Sequence, residues 1–173
     1  KWWPMFRMAN SITKTIETRK QALSNRPIDL YQIHQPYSLS SVENQIKAMV
    51  SLVEDGHIKH VGVSNFNASA MGNSHRILKD NGQTLASNQV KYSLLDRRIE
   101  ENGTLERAQE LGISIIAYSP LEQGLLTGKF HDNPSLIQDA KGPRRLQRKF
   151  KEAGLAESKP LISLLDAIGE KYN

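Results

Sequence analysis

The stretch IKHVGVSNFNASAMGNSHRILKDNGQTLASNQVKY, residues 58–92, decides the fold. Ile58–Ser64 is a short run of β-branched and apolar residues, the composition of a buried strand. Residues 69–80 carry Met71, Ile77 and Leu78 at helical spacing, and Asn81-Gly82 stops the helix. Residues 85–92 read as a second strand. A strand, a helix of about three turns and a strand, joined by tight connections, is a parallel βαβ unit.

The same alternation extends outward. Towards the N-terminus, residues 11–23 read as a helix with Asn10 or Ser11 as its cap. Arg26-Pro27 breaks it, and residues 28–34 form a strand. Ser41 caps a helix that shows Val42, Ile46, Met49, Val50 and Val53 on one face and ends at Asp55-Gly56. Towards the C-terminus, residues 101–111 read as a helix and residues 113–118 as the most apolar strand. Residues 121–158 read as irregular, and Pro160 is expected in the first turn of a final helix over 160–171. Both an open doubly wound sheet and a (β/α)8 barrel fit this order.

Composition narrows the class. The chain has 173 residues, 38% hydrophobic, enough for one globular domain. With 23 Lys+Arg against 18 Asp+Glu the net charge is +5, modest for a nucleic-acid binder. The absence of Cys excludes disulfides, thiolate nucleophiles and Cys-ligated zinc, and no metal site is expected. No apolar run is long enough to span a bilayer. A cytoplasmic protein that binds neither membrane nor nucleic acid is the expectation.

In either architecture the strands' C-terminal ends carry function. Here they present Gln32 and His34, then Ser64 and Asn65, then Ser87, Asn88 and Gln89, then Tyr118 and Ser119. Alternation puts Leu30, Gln32 and His34 on one face and Tyr31 on the other. Together these groups suggest a pocket for a polar, planar ligand. The stretch QGLLTGK, residues 123–129, adds glycines and a lysine suited to an anion, without the spacing of a P-loop. Lys141, Arg144, Arg145, Arg148, Lys149 and Lys151 form a basic run, read as a solvated face or, alternatively, a nucleic-acid patch.

These residues resemble the aldo-keto reductases, across almost the whole chain. K-W-W at residues 1–3 and Q-I-H-Q-P at 32–36 look like the strand ends carrying the family's catalytic Lys and His. G-V-S-N-F at 62–66, S-N-Q-V-K-Y-S at 87–93, A-Y-S-P-L at 117–121 and Q-G-L-L-T-G-K-F at 123–130 follow in the family's order. The resemblance implies a (β/α)8 barrel and hydride transfer from NADP(H) to an aldehyde or ketone. It implies catalytic roles for Lys1 and His34. Ser64, Asn65 and Gln89 would hold the nicotinamide carboxamide, and Tyr118 would stack on the ring. Ser119, Leu121, Gln123, Gly124 and Lys129 would line the pyrophosphate path.

The family's Asp and Tyr have no counterpart here, and neither Tyr31 nor Tyr37 occupies the Tyr position. The chain therefore reads as a single partial barrel domain over residues 1–173, strands one, two and eight missing, inactive alone and open to self-association through unpaired sheet edges. A non-catalytic, nucleotide-binding subunit of the same kind is the alternative.

Overall fold

A computed structural model describes residues 1–138 and 143–172. These divide into two compact units, one of residues 1–92 and 97–118, the other of residues 93–96 and 119 onward.

The first unit is a four-stranded parallel sheet in the order β1-β2-β3-β4, with β1 Ile28–Ile33, β2 Ile58–Ser64, β3 Leu85–Lys91 and β4 Ser114–Tyr118. Trp2 lies parallel beside Ile33 at the outer edge of β1. Its N–H donates to the Gln32 carbonyl at 2.8 Å, and the His34 N–H donates back to the Trp2 carbonyl at 2.9 Å.

The connecting helices are α1 Asn10–Lys14, α2 Ile16–Ala22, α3 Val42–Glu54, α4 Ala68–Asp80, α5 Arg98–Glu101 and α6 Thr104–Glu110. α3 and α4 follow from local chemistry. The Ser41 hydroxyl accepts from the Asn44 N–H at 3.2 Å and the Asn67 side chain from the Ala70 N–H at 2.8 Å, so both first turns are capped. α3 buries Ile46, Met49, Val50 and Leu52 against a core that includes Trp2, Tyr31, Ile33, Val61, Val63, Phe66, Met71 and Leu85.

Three expectations about helices need correction. Residues 11–23 form two helices, because the chain leaves helical geometry at Thr15 (φ −101°, ψ 1°), whose hydroxyl donates to the Ser11 carbonyl at 2.7 Å. The cap position of α1 is Ala9, without a side-chain cap, and its N–H donates to the Ser40 hydroxyl at 2.9 Å. The helix expected over 101–111 is broken at Gly103, whose φ of 76° is left-handed, into α5 and α6.

The sheet contains one register shift. Val61 pairs with Leu85, but Gly62 pairs with Ser87, which leaves Ala86 as an extra residue in β3. Leu85 joins the helix-side core with Val61, while Ser87 joins Gly62 on the opposite face. A Cβ on Gly62 would stand 2.6 Å from the Ser87 hydroxyl oxygen and 2.9 Å from Gln32 Cγ. Leu30, Gln32, Gly62 and Ser87 therefore share a face, and Gly is required where they crowd.

The second unit is built from short turns at Glu122–Thr127, Pro134–Ile137, Pro143–Leu146 and Arg148–Phe150, with α7 Lys129–Asp132 and the long α8 Glu152–Tyr172. Its core joins Leu125, Phe130, Ile137, Phe150 and Leu155. The region expected to be irregular is thus largely helical. Pro160 lies inside α8, about two turns beyond its observed start at Glu152 and not in its first turn as expected, and its missing N–H costs one bond of a helix anchored by Leu155 and Ile162. Lys141 of the basic run lies outside the described residues. Lys149 pairs with the buried Glu122 at 2.5 Å, and Arg148 with Glu157. No helix among the described residues is long and apolar enough to cross a membrane.

Gly62→Ala is expected to destabilise the protein by about 1–3 kcal/mol through overpacking against Ser87 and Gln32. Gly169→Ala on α8, where a Cβ meets nothing, is expected to stabilise by up to about 1 kcal/mol. Paired chemical-denaturation curves check both signs.

Candidate functional site

The polar strand ends of the first unit converge on one side chain. Asn65 follows β2 in left-handed geometry (φ 61°), a conformation Asn tolerates better than most residues. That turn swings its amide back over the sheet end. Asn65 Nδ2 donates to the His34 carbonyl at 3.2 Å and to Ser64 Oγ at 3.1 Å. Asn65 Oδ1 accepts from the Tyr118 hydroxyl at 3.0 Å. Residues ending β1, β2 and β4 are thereby joined.

Ser64 is wholly buried, 0% exposed. Its hydroxyl donates to the Gln89 carbonyl at 2.8 Å and accepts from Lys1 Nζ at 3.1 Å and from Asn65. One proton and two lone pairs are all spent, so Ser64 is saturated. The Gln89 carbonyl also accepts from the Asn65 N–H at 2.9 Å. The half-buried Gln89 side-chain amide has no partner among the described residues.

The register beneath is held by Gln32, whose Nε2 donates to the Val63 carbonyl at 3.4 Å and to Ser87 Oγ at 3.3 Å. Asn88 faces the helix side instead. It clamps Phe66 from both sides, accepting from its N–H at 3.4 Å and donating to its carbonyl at 2.8 Å, which shapes the turn that presents Asn65. Gln45 of α3 donates to the carbonyls of Pro36 and Ser40 and fastens the loop after His34.

His34 meets the edge of Trp3, with ring centroids 4.5 Å apart and planes at 83°. Sequence reasoning assigned Trp3 no role, and its adjacency to the flagged Lys1 was the only signal. Burial lowers the His34 pKa below 6.5, and the Lys1 charge adds to that. Burial likewise lowers the Lys1 ammonium. Two cationic groups under partial desolvation favour a neutral imidazole. Tyr31 packs into the helix-side core, as alternation requires, and burial raises its hydroxyl pKa. Tyr37 is exposed.

The remaining candidates belong to the second unit. Ser119, Glu122, Gln123 and Gly124 all have positive φ, a tight turn in which the N–H groups of Glu122, Gly124 and Leu126 bond to the Ser119 and Leu121 carbonyls. Those donors are spent within the turn. Leu121 is exposed, and Lys129 Nζ stands 5.0 Å above the Phe130 ring and about as close to Gly124 as its missing side chain permits. Charge at this turn comes from Lys129 and from Lys149, the latter paired with Glu122.

The aldo/keto reductase family model matches residues 1–173. Aldo-keto reductase str7 of Strobilurus tenacellus is 33% identical over 148 residues, 84% of this chain and 42% of that protein. The chloroplastic pyridoxal reductase of Arabidopsis thaliana is 37% identical over 71% of this chain and 32% of its own. The structure of glycerol dehydrogenase AKR11B4 from Gluconobacter oxydans superposes with a TM-score of 0.83 at 28% identity, covering 96% of this chain and 49% of that one. The chain spans about half or less of the length of these relatives.

His34 is expected to titrate below 6.5 in the imidazole resonances of an NMR titration, and Lys1→Met to move it part of the way back up. A base with a depressed folded pKa contributes stability above pH 6.5 that is lost as pH falls through the lower folded value, because the unfolded chain takes the proton first. Acid denaturation of His34→Gln should lack that component.

Proposed function

The chain belongs to the aldo/keto reductase family, and from that premise we propose that its strand-end cluster is the nicotinamide end of an NADP(H) site for reducing an aldehyde or ketone. The observation that carries the reading is the Asn65 junction, whose backbone N–H bonds to the Gln89 carbonyl and whose side chain keeps one acceptor site. The Gln89 side-chain amide has no partner among the described residues, and Asn65 Oδ1 has one lone pair to spare. A carboxamide has matching donors and acceptors, and the half-buried Tyr118 ring offers a flat apolar surface. The residues present fit the cofactor's amide end. Taken by itself, the Ser119–Lys129 stretch of the second unit is proposed as a diphosphate-binding turn, with Lys129 as the counter-charge, Ser119, Gln123 and Gly124 shaping it, and Leu121 exposed beside it.

Bound, the cofactor supplies a hydride. This chain's residues supply the surroundings. A neutral His34 can donate one ring N–H to a carbonyl oxygen and fix its direction. The Lys1 ammonium, held by Ser64, places positive charge beside the oxygen that becomes negative. Ser64, assigned with Asn65 and Gln89 to the carboxamide end, fixes Lys1 and Asn65 through its hydroxyl.

The parallel sheet is read as consecutive strands of a (β/α)8 barrel, in keeping with the AKR11B4 superposition. The family's proton-donating Tyr and its Asp have no counterpart in these 173 residues, so the chain alone is assigned binding without turnover. A cytosolic location, a small carbonyl substrate and self-association through the sheet edges complete the proposal. The pyridoxal reductase and glycerol dehydrogenase relatives favour carbonyl chemistry over a purely regulatory role.

Titration with NADPH, followed by Trp and Tyr fluorescence, is expected to show saturable quenching. Asn65→Ala should weaken it about tenfold, the value of one lost hydrogen bond to a polar ligand. No response from a cooperatively folded chain would overturn the assignment. A simple aldehyde with NADPH should give no turnover above background, since a general acid contributes about 10²–10⁴-fold. Turnover abolished by His34→Ala would refute the inactivity.

A further inference from the structure

We infer that a cleft in the second unit binds a small zwitterion, an apolar body with an ammonium group at one end and a carboxylate at the other. The inference stands on the second unit by itself and does not rest on the dinucleotide reading above.

The cleft has a volume of about 560 Å³, within the range of small-molecule sites. Its floor is apolar: Ile137, Phe150 and Leu155, which also belong to the core of the unit. One wall is the start of α8, where Glu152, Leu155, Ala156 and Lys159 all line the cleft. Steps of three, four and seven residues place them on a single helix face. That face therefore sets an apolar middle between two opposite charges.

The two charges are exposed and unpaired. On a helix, Glu and Lys pair when three or four residues apart. Glu152 and Lys159 stand two turns apart, about 10 Å along the axis, too far to meet each other. Neither side chain has an ion-pair or hydrogen-bond partner among the described residues. The charges beside them are committed, Arg148 to Glu157 and Lys149 to Glu122. His131 also lines the cleft, but its Nε2 lies 2.9 Å from the Ser158 hydroxyl and its Nδ1 is buried. It adds ring surface to the wall, not a third polar contact.

Affinity at such a cleft comes from covering the apolar floor. An exposed ion pair adds little by itself, so the charges act on selection: they set the direction and the length of the occupant. A carboxylate fits beside Lys159 and an ammonium beside Glu152. A molecule with one charge leaves the other end unpaired. A short zwitterion reaches only one end.

The test titrates the full chain with ω-aminooctanoate, whose charges stand about as far apart as those of the cleft, and follows binding by isothermal calorimetry. Octanoate, octylamine and ω-aminobutanoate are the comparisons. ω-Aminooctanoate is expected to bind about threefold more tightly than octanoate or octylamine, and about tenfold or more above the shorter ω-aminobutanoate. Glu152→Gln should erase the advantage over octanoate, and Lys159→Gln the advantage over octylamine. Ala156→Phe places a ring in the cleft from an exposed helix position and should abolish binding of all four, with a thermal melt confirming that each variant folds. No binding of ω-aminooctanoate, equal affinity for the two zwitterions, ratios unmoved by both charge variants, or binding that survives Ala156→Phe would each overturn the inference. None of these outcomes bears on the NADPH titration.

Discussion

One side-chain amide ties the C-terminal strand ends of the first unit together. Asn65 links the ends of β1, β2 and β4 through three hydrogen bonds, spanning 31 residues to His34 and 53 to Tyr118. It reaches all three because the chain leaves β2 through a left-handed residue. The turn is in turn fixed by Asn88, which bonds both backbone groups of Phe66. The extra residue at Ala86 is what permits this. It lets Leu85 pack with the helices while Ser87 faces away from them and Asn88 faces the Phe66 turn.

The arrangement illustrates why buried polar groups are informative when every proton is counted. Ser64 and Asn65 are neighbours in sequence and both satisfied, but differently. Ser64 has no capacity left and is sealed from solvent, so its contribution is to hold others. Asn65 is half-buried and keeps a single acceptor site. Around them, partial desolvation pushes Lys1 and His34 towards their neutral forms, and their mutual repulsion adds to that for the imidazole. Position, protonation and donor direction are consequences of the same packing.

The second unit follows another logic. Its core is an edge-to-face pair of Phe130 and Phe150, with centroids 5.4 Å apart, ringed by Lys129, Arg144 and Lys149 within cation–π reach. Part of the basic run is therefore structural, covering aromatic faces or neutralising Glu122 and Glu157. Close packing matters here as well: a Cβ on Gly154 would fall 2.4 Å from the Arg148 carbonyl oxygen, so α8 begins hard against the preceding turn.

Much of the fold was legible in the chain itself. β-Branched runs placed β1 to β4 within about a residue of their observed ends, and Ser41 capped α3 as its chemistry requires. The rule that function gathers at strand C-termini selected His34, Ser64, Asn65, Gln89 and Tyr118, the family resemblance added Lys1, and of these six all but the Gln89 and His34 side chains enter one network. Local breaks were less legible. Thr15, Gly103 and Pro160 each carry weak signals that neighbouring contacts outvote. Hydrogen-bond direction was not legible at all. That Ser64 is spent, that Asn65 faces outward with an acceptor, and that Tyr118 donates to it depend on partners 25 to 63 residues away. Sequence determined which groups stand at the strand ends, because alternation and capping are local. Only the tertiary structure decided which of them have a proton or a lone pair left to offer, because that depends on distant groups brought within about 3 Å.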